Sequence, residues 1–207
     1  MIDCQSMTID LKELKRKLIH LSSMWIVFSL HYLEFSIFIK ILHLTSFVVI
    51  SLDWLRHRNK FITNISNTLF GFVLRDHELV RGKLTGASFM MIAACIVCDF
   101  FSLITASFAM SVLIICDSFA AIIGKHFGKN KIADKTLEGC FGFVISGFAI
   151  GLFMFYKFEL SYYWLVASFS AVIVGALIEL YSNKLKIDDN LSIPIAVAIT
   201  MKLIFNQ

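Results

Sequence analysis

Residues 100–123 read FFSLITASFAMSVLIICDSFAAII, an apolar stretch that contains a single charged residue, Asp117. A helix that crosses a membrane needs about 20 mostly apolar residues. The stretch is long enough, and it lacks the alternation of apolar and polar residues that marks the strands of a membrane β-barrel. It therefore predicts a transmembrane α-helix, and this helix sets the class of the protein.

The composition of the whole chain points to the same class. Of its 207 residues, 58% are hydrophobic and only 16% are charged, and the mean hydropathy is +0.79. A soluble domain typically carries about 25% charged residues. The values exclude a soluble domain, a disordered chain and a nucleic-acid-binding arm. We expect residues 1–207 to form one integral-membrane catalytic domain with a short arm at 1–15, no nucleic-acid partner and no obligate protein partner.

Seven apolar runs predict an all-α, multi-pass bundle of about seven spans. The runs are 18–33, 35–55, 84–98, 100–123, 140–156, 162–181 and 191–205. With seven crossings, 16 of the 19 Lys and Arg residues fall on one side of the membrane. Cytoplasmic connections are the ones enriched in Lys and Arg. The pattern predicts a cytoplasmic N-terminus, an external C-terminus and an active site on the cytoplasmic face.

Asp117 is the strongest candidate for chemistry. An ionisable side chain at membrane depth is costly and requires a partner. Ala121, Gly124 and Gly128 follow it at helical spacing and predict one face of small residues. Such a face either packs closely against another helix or leaves a slot where a ligand approaches the backbone beside a metal-binding carboxylate.

The stretch after Asp117 has the composition of a phosphate-binding loop. Residues 124–139 read GKHFGKNKIADKTLEG, with four lysines and three glycines. Glycines let backbone N–H groups approach phosphate oxygens, and a helix N-terminus adds its dipole. Thr136 is placed to cap a helix that begins near Leu137. The alternative is a solvated loop of a kind common on the cytoplasmic face. The nucleotide-binding candidates here are Gly124, Lys125, Gly128, Lys131, Lys135 and Thr136.

Three further polar clusters fall on the same predicted face, and each alone could simply anchor a helix at the interface. The clusters contain Arg16, Lys17 and His20; Arg81, Lys83, Thr85 and Gly86; and Glu179, Asp188, Asp189, Asn190 and Pro194. Together they offer phosphate ligands, Arg81 and Lys83, and oxygen ligands for a metal. Pro194 fits the first turn of the last helix. His31, His43 and Asp53 also lie in apolar runs, but nothing in the sequence assigns them a role.

Five motifs carry a resemblance to a known family. They are Arg16-Lys17-x-x-His20, Leu84-Thr85-Gly86-Ala87-Ser88, Asp117-x-x-Ala120-x-x-x-Gly124-x-x-Phe127-Gly128-x-x-Lys131, Lys135-Thr136-x-Glu138-Gly139, and Glu179 followed by Asp189-Asn190-Leu191-x-Ile193-Pro194. The chain resembles the membrane-bound polyprenol kinases, which include dolichol kinase, phytol kinase and the CTP-dependent diacylglycerol kinase. It is more distantly similar to phosphatidate cytidylyltransferase. It departs from the first motif at Met24, where a small residue is expected.

The resemblance implies transfer of a phosphate from a nucleoside triphosphate, typically CTP, to a membrane lipid alcohol, with Mg²⁺ or another divalent cation. The catalytic residues it implies are Asp117, Glu138 and Glu179, and the metal ligands are Asp117, Glu179 and Asp189. Asp117 is either a metal ligand or the general base toward the lipid hydroxyl.

Two other functions remain open. One is a CTP:phosphatidate cytidylyltransferase, in which the lipid phosphate attacks the nucleotide and pyrophosphate leaves. The other is a small transporter or assembly protein without chemistry. A transporter predicts charges distributed along the interior of the bundle, whereas here the charges gather at one face.

Overall fold

A computed structural model describes residues 11–70, 84–132 and 135–205 of the chain. Within these ranges the regular structure is helical, apart from one hairpin of two short strands. The helices are α1 (Leu11–Ser22), α2 (Trp25–Tyr32), α3 (Phe35–Arg56), α4 (Lys60–Phe70), α5 (Gly86–Phe100), α6 (Leu103–Ser111), a π-helical segment (Val112–Cys116), α7 (Asp117–Phe127), α8 (Leu137–Lys157), α9 (Tyr162–Leu185) and α10 (Asp189–Phe205).

The all-α prediction is confirmed. Within the described ranges, four helices are long and apolar enough to cross a membrane: Phe35–Arg56, Leu103–Phe127, Leu137–Lys157 and Tyr162–Ser182. Helix α5 is apolar but shorter. The first predicted run, 18–33, is interrupted by a turn at Ser23 and Met24, which separates α1 from α2. These helices indicate a helical membrane protein.

The helix built from α6, the π segment and α7 is the centre of the bundle. Its apolar window is 72% buried inside the fold, compared with 17% for α3. Near the start of this helix, Phe108 packs edge-on against Trp164 of α9, with ring centroids 5.3 Å apart. Trp164 also contacts Phe205 at the end of α10, at 5.4 Å. The remaining helices are therefore arranged around residues 103–127.

The π segment lies immediately before Asp117. A π turn is wider than an α turn and such turns are frequent at functional sites. It changes the direction in which Asp117 and the following side chains point. The helix then continues to Phe127. Asp117 therefore lies about 15 Å along the axis from the end of α7.

The stretch between α7 and α8 is a hairpin. Strand β1 (Lys131–Ile132) pairs antiparallel with β2 (Lys135–Thr136), and Lys131 stands opposite Thr136. Helix α8 begins at Leu137, and Thr136 Oγ1 accepts a hydrogen bond from the Gly139 N–H at 3.2 Å. The predicted cap is confirmed.

Helix α10 begins earlier than predicted. Asp188 Oδ1 accepts a hydrogen bond from the Asn190 N–H at 3.0 Å, and Asp189 is the first helical residue. Pro194 is therefore in the second turn, and its predicted position in the first turn was wrong. The reason is that Asp188 and Asp189 accept hydrogen bonds from the Asn190 N–H, so the helix begins ahead of the apolar run at 191–205.

The predicted connection 56–83 contains helix α4. Its first residues fold back on α3, because Thr63 Oγ1 donates a hydrogen bond to the Arg56 carbonyl at 2.5 Å. Phe61 and Ile65, one turn apart, are 71% and 44% exposed. The apolar residues of α4 are spaced as on one face of a helix, but the helix is too short and too polar to span a membrane. A search for long apolar runs therefore missed it.

Candidate functional site

A cavity of about 250 Å³ lies between the first two turns of α7, the last two turns of α9 and the starts of α8 and α10. Five helices and the hairpin supply its walls. The lining residues are Arg16, Lys17, Asp117, Ala120, Ala121, Gly124, Lys135, Thr136, Gly139, Glu179 and Asp189. Nine of the predicted site residues are thus brought together, although they come from both ends of the sequence.

Asp117 is paired with Lys17 of α1. Lys17 Nζ donates a hydrogen bond to Asp117 Oδ2 at 2.5 Å and lies 3.3 Å from the Asp117 carbonyl oxygen. Both side chains are buried, at 5% and 6% exposed. In this structure an ammonium group of the chain itself neutralises Asp117. The pair also fixes α1 to the central helix.

His20 makes the second polar contact between α1 and the central helix. Its Nε2 is 3.4 Å from the Leu113 carbonyl oxygen of the π segment and 3.8 Å from Asp117 Oδ2. A carbonyl oxygen only accepts hydrogen bonds, so Nε2 is the protonated nitrogen in this contact. Arg16, Lys17 and His20 thus direct α1 toward the cavity, while Leu18 and Ile19 are 57% and 43% exposed.

Lys135 forms the second charged group of the cavity. Its Nζ lies 2.6 Å from Glu179 Oε1 and 4.0 Å from Asp189 Oδ2. Burial alone would lower the pKa of Lys135, but the carboxylates of Glu179, Asp117 and Asp189 outweigh it and raise the pKa above its usual value. Lys135 therefore keeps its positive charge at neutral pH.

The small-residue face of α7 packs against the start of α8. A Cβ added to Gly124 would lie 2.6 Å from Thr136 Oγ1, and one added to Gly128 would lie 2.6 Å from Thr136 Cγ2. A Cβ on Gly139 would lie 2.8 Å from the Ala120 carbonyl oxygen. The glycines permit close helix contact, one of the two alternatives. The close approach also leaves Gly124 and Gly139 as backbone lining of the cavity.

The three predicted metal ligands, Asp117, Glu179 and Asp189, line one cavity. In residues 11–70, 84–132 and 135–205, no group of three or more His, Cys, Asp or Glu side chains is arranged to hold a metal ion. This fits Mg²⁺ only in the form in which one or two carboxylates and the substrate phosphates hold the ion together. The structure does not support an all-protein cage.

Several predicted site residues lie away from the cavity lining. Glu138 accepts hydrogen bonds from Asn130, including one from Asn130 Nδ2 at 2.9 Å, so it stabilises the hairpin instead of facing the cavity. Lys125 and Lys131 are exposed. Thr85 and Gly86 begin α5, and Asn190 and Pro194 belong to α10. Arg81 and Lys83 are outside the described residues.

Sequence reasoning missed two polar contacts. It grouped Lys17 with a motif but did not identify it as the partner of Asp117, which is 100 positions away. It noted Asp53 without assigning a role, whereas the structure buries Asp53 beside Arg56 and Ser88. The only signal for Asp53 was its charge near the end of an apolar run.

The sequence model of the cytidylyltransferase family matches residues 4–183, and the chain belongs to this family. It is 30% identical to an uncharacterized protein of Rickettsia prowazekii (strain Madrid E) over 193 residues, which cover 91% of this chain and 92% of that protein. It is 33% identical to an uncharacterized protein of Methanocaldococcus jannaschii over 141 residues, 67% of each chain. No solved structure matches it.

Lys17→Met tests the ion pair as a structural contact. The change leaves a buried carboxylate without its cation, so we expect the free energy of unfolding in detergent to fall by about 3–5 kcal/mol. The double variant Lys17→Met/Asp117→Asn removes both charges of the pair and should recover most of this loss. Denaturant unfolding followed by circular dichroism provides the measurement. Equal destabilisation of the single and double variants would show that the two charges do not depend on each other.

Proposed function

We propose that the protein transfers the γ-phosphoryl group of CTP to the hydroxyl of a membrane lipid alcohol, of the polyprenol, dolichol, phytol or diacylglycerol type. Membership of the cytidylyltransferase family supports a transferase that uses a nucleotide in lipid chemistry. The observation that carries the proposal is the cavity itself. It joins a buried carboxylate, Asp117, to a phosphate-type lysine, Lys135, within one small volume.

The nucleotide side of the proposal rests on Lys135 and the start of α8. Lys135 is 28% exposed and directs Nζ into the cavity, beside Glu179. The next residue, Thr136, caps the N-terminus of α8. A helix N-terminus favours anions through its unpaired N–H groups and its dipole. We assign the phosphates to this wall, where an incoming anion would compete with Glu179 for the ammonium group.

The acceptor side rests on the depth of Asp117. The carboxylate is buried in a spanning helix, and Arg16 and Lys17 of α1 line the cavity beside it. A lipid hydroxyl that enters from the bilayer arrives at this depth without leaving the interface. Phosphates that attract Lys17 would free Asp117 Oδ2 from its ion pair and leave it beside the hydroxyl.

The reaction is a displacement at the γ-phosphorus. The lipid oxygen forms the new P–O bond, the bond to the bridging oxygen of the β-phosphate breaks, and CDP leaves with that electron pair. As general base, Asp117 would take the hydroxyl proton. Lys17 and Lys135 would balance the negative charge of the transferred group, which is the main task in phosphoryl transfer. Asp117 or Asp189 would hold Mg²⁺, which supplies further charge neutralisation when it is bound with the nucleotide.

A CTP:phosphatidate cytidylyltransferase is the second candidate, because the family description names cytidylyl transfer. The two reactions differ in products. Purified protein is incubated with γ-labelled CTP, Mg²⁺ and a panel of lipid alcohols, with phosphatidate in a parallel reaction. A kinase yields labelled phospholipid and CDP. Labelled pyrophosphate and CDP-lipid from phosphatidate would overturn the kinase in favour of the second candidate, and no labelled product would reject both.

Asp117→Asn tests the site within this assay. The substitution keeps the shape and removes the charge, so it eliminates both a metal ligand and a general base. We expect activity to fall at least about a hundredfold, a loss of about 2.7 kcal/mol of transition-state stabilisation. The double variant Lys17→Met/Asp117→Asn is the control, because it should regain stability and stay inactive. Activity within a few-fold of the wild type would make Asp117 a packing residue.

Lys135→Met tests the nucleotide wall. Loss of the ammonium group should raise the KM for CTP more than the KM for the lipid. Lys131→Met is the matched control from the opposite strand of the hairpin, since Lys131 is exposed and outside the cavity lining. We expect a smaller effect from it, measured in the same steady-state assay. Equal increases in both KM values for Lys135→Met would point to a structural role for the hairpin.

We also propose that the chain crosses the membrane seven times, with the cavity on the cytoplasmic face. The turns at the other end of the bundle are rich in exposed tyrosine, as expected at a membrane interface. These residues are Tyr32, Tyr156, Tyr162 and Tyr163, at 74–82% exposed. At the cavity end, Arg58 stacks over Trp54 at 3.8 Å and Lys184 lies over Tyr181 at 5.6 Å. Aromatic rings at both ends support a bundle embedded along its length.

Compartment reporters fused to the two termini test this topology. An odd number of crossings with the basic connections inside should place the N-terminal reporter in the cytoplasm and the C-terminal reporter outside. A reporter inserted after Lys157 supplies an internal control for the outer side. Both termini in the same compartment would contradict seven spans and remove one of the short runs from the membrane.

A further inference from the structure

The end of α3 and the start of α5 lie side by side, and α4 belongs to the segment between them. Arg56 is the last residue of α3, and the Thr85 N–H at the start of α5 donates a hydrogen bond to Asp53 Oδ2 at 2.6 Å. Helix α4 has 11 residues, which extend about 16 Å. A helix of this length cannot cross a hydrocarbon core about 30 Å thick. Helix α4 is therefore confined to one end of the bundle.

That end of the bundle also carries the cavity. Helix α5 runs away from it to Phe100, and α6 begins at Leu103 after a short turn. The helix that begins there returns to Asp117, which lines the cavity. If these helices span the membrane, α4 lies at the same interface as the site.

Helix α4 has one apolar face. Phe61, Ile62 and Ile65 fall within about 100° of one another around the helix axis. Asn64 lies outside this arc, and Thr63 is turned toward the end of α3 through its hydrogen bond. Phe61 and Ile65 are 71% and 44% exposed. Within the part of the chain that the structure describes, this face is therefore not covered by protein.

The side chains around the start of α4 match a membrane interface. Only 17% of the apolar window of α3 is buried, and Trp54 near its end is 51% exposed. The guanidinium carbon of Arg58 lies 3.8 Å from the centre of the Trp54 ring, and Lys60, the first residue of α4, is exposed. Tryptophan concentrates at membrane interfaces, where long cationic side chains reach the headgroups. The apolar face of α4 thus begins where the lipid-facing surface of α3 ends.

We propose that α4 is an interfacial helix that binds the membrane surface beside the cavity. Phe61 and Ile65 enter the boundary between headgroups and acyl chains, and Arg58 and Lys60 contact anionic phospholipid headgroups. An amphipathic helix with cationic residues binds lipid in this way through buried apolar area and electrostatic attraction. The inference requires that α3 spans the membrane, but it does not depend on kinase activity.

Tryptophan scanning of the full-length protein in vesicles of phosphatidylcholine and phosphatidylglycerol tests the apolar contact. Phe61→Trp places a probe on the apolar face, and Asn64→Trp is the matched control outside it. Subtraction of the wild-type emission removes the contribution of the three native tryptophans. We expect lipids brominated near the headgroup end of the acyl chain to quench the probe at 61 at least about twofold more strongly than the probe at 64. Aqueous acrylamide should show the opposite order.

The charged contact is tested in the Phe61→Trp background. Adding phosphatidylglycerol to phosphatidylcholine vesicles should increase quenching of the probe by lipid, because anionic headgroups attract Arg58 and Lys60. Lys60→Gln should reduce this increase. Lys40→Gln is the control, since Lys40 is an exposed lysine near the opposite end of α3. An equal reduction in both lysine variants would overturn the headgroup contact.

Two results would overturn the interfacial helix. A probe at 61 that acrylamide quenches and brominated lipid does not would place α4 in water. A probe shielded from both would show that protein covers it, either a second copy or another part of this chain. If Phe61→Trp fails to fold, Ile65→Trp carries the probe one turn further along the same face. Because quenching needs no substrate, a protein that makes no labelled phospholipid leaves this inference intact, and α4 in water leaves the kinase intact.

Discussion

The ion pair between Lys17 and Asp117 is the contact on which the arrangement of the site depends. Neither charge is stable alone at 5–6% exposure. Helix α1 is therefore held on the central helix, although its exposed residues Leu18 and Ile19 would favour no particular neighbour in lipid. Apolar surfaces give little orientation inside a bilayer, where lipid chains are as apolar as side chains. The polar contacts of Lys17 and His20 therefore decide which face of α1 turns inward.

The close approach of α7 and α8 is the second constraint, and it comes from glycine. Gly124, Gly128 and Gly139 bring the end of one helix and the start of the next close enough for Thr136 to fill the space between them. The capped start of α8 is thereby brought within the same cavity as Asp117. Side-chain bulk at these positions would separate the carboxylate from the hairpin. The glycines thus serve the site through helix packing, and a ligand need not touch them.

Local signals in the sequence were sufficient for much of the fold. The apolar runs predicted α3 and α9 with the correct first residue, and Thr136 was recognised as the cap of α8. The π segment could not be predicted, because residues 103–117 contain neither Gly nor Pro to mark a distortion. The partner of Asp117 was equally hidden, since a contact across 100 positions leaves no trace in composition or spacing. The sequence predicted that the carboxylates and lysines lie at one face of the membrane, but it did not show which carboxylate pairs with which lysine.

The cavity wall has a property that concerns what can enter it. Three cationic side chains, Arg16, Lys17 and Lys135, stand among three carboxylates, Asp117, Glu179 and Asp189, so the lining carries no formal net charge. An electrically balanced pocket offers little excess attraction to a bare polyanion, since Lys17 and Lys135 already have negative neighbours. An anion accompanied by a counter-cation disturbs this balance less. The cation can pair with the carboxylates while the anion pairs with the ammonium groups. The lining therefore favours an anion that enters together with its counter-cation over the same anion alone.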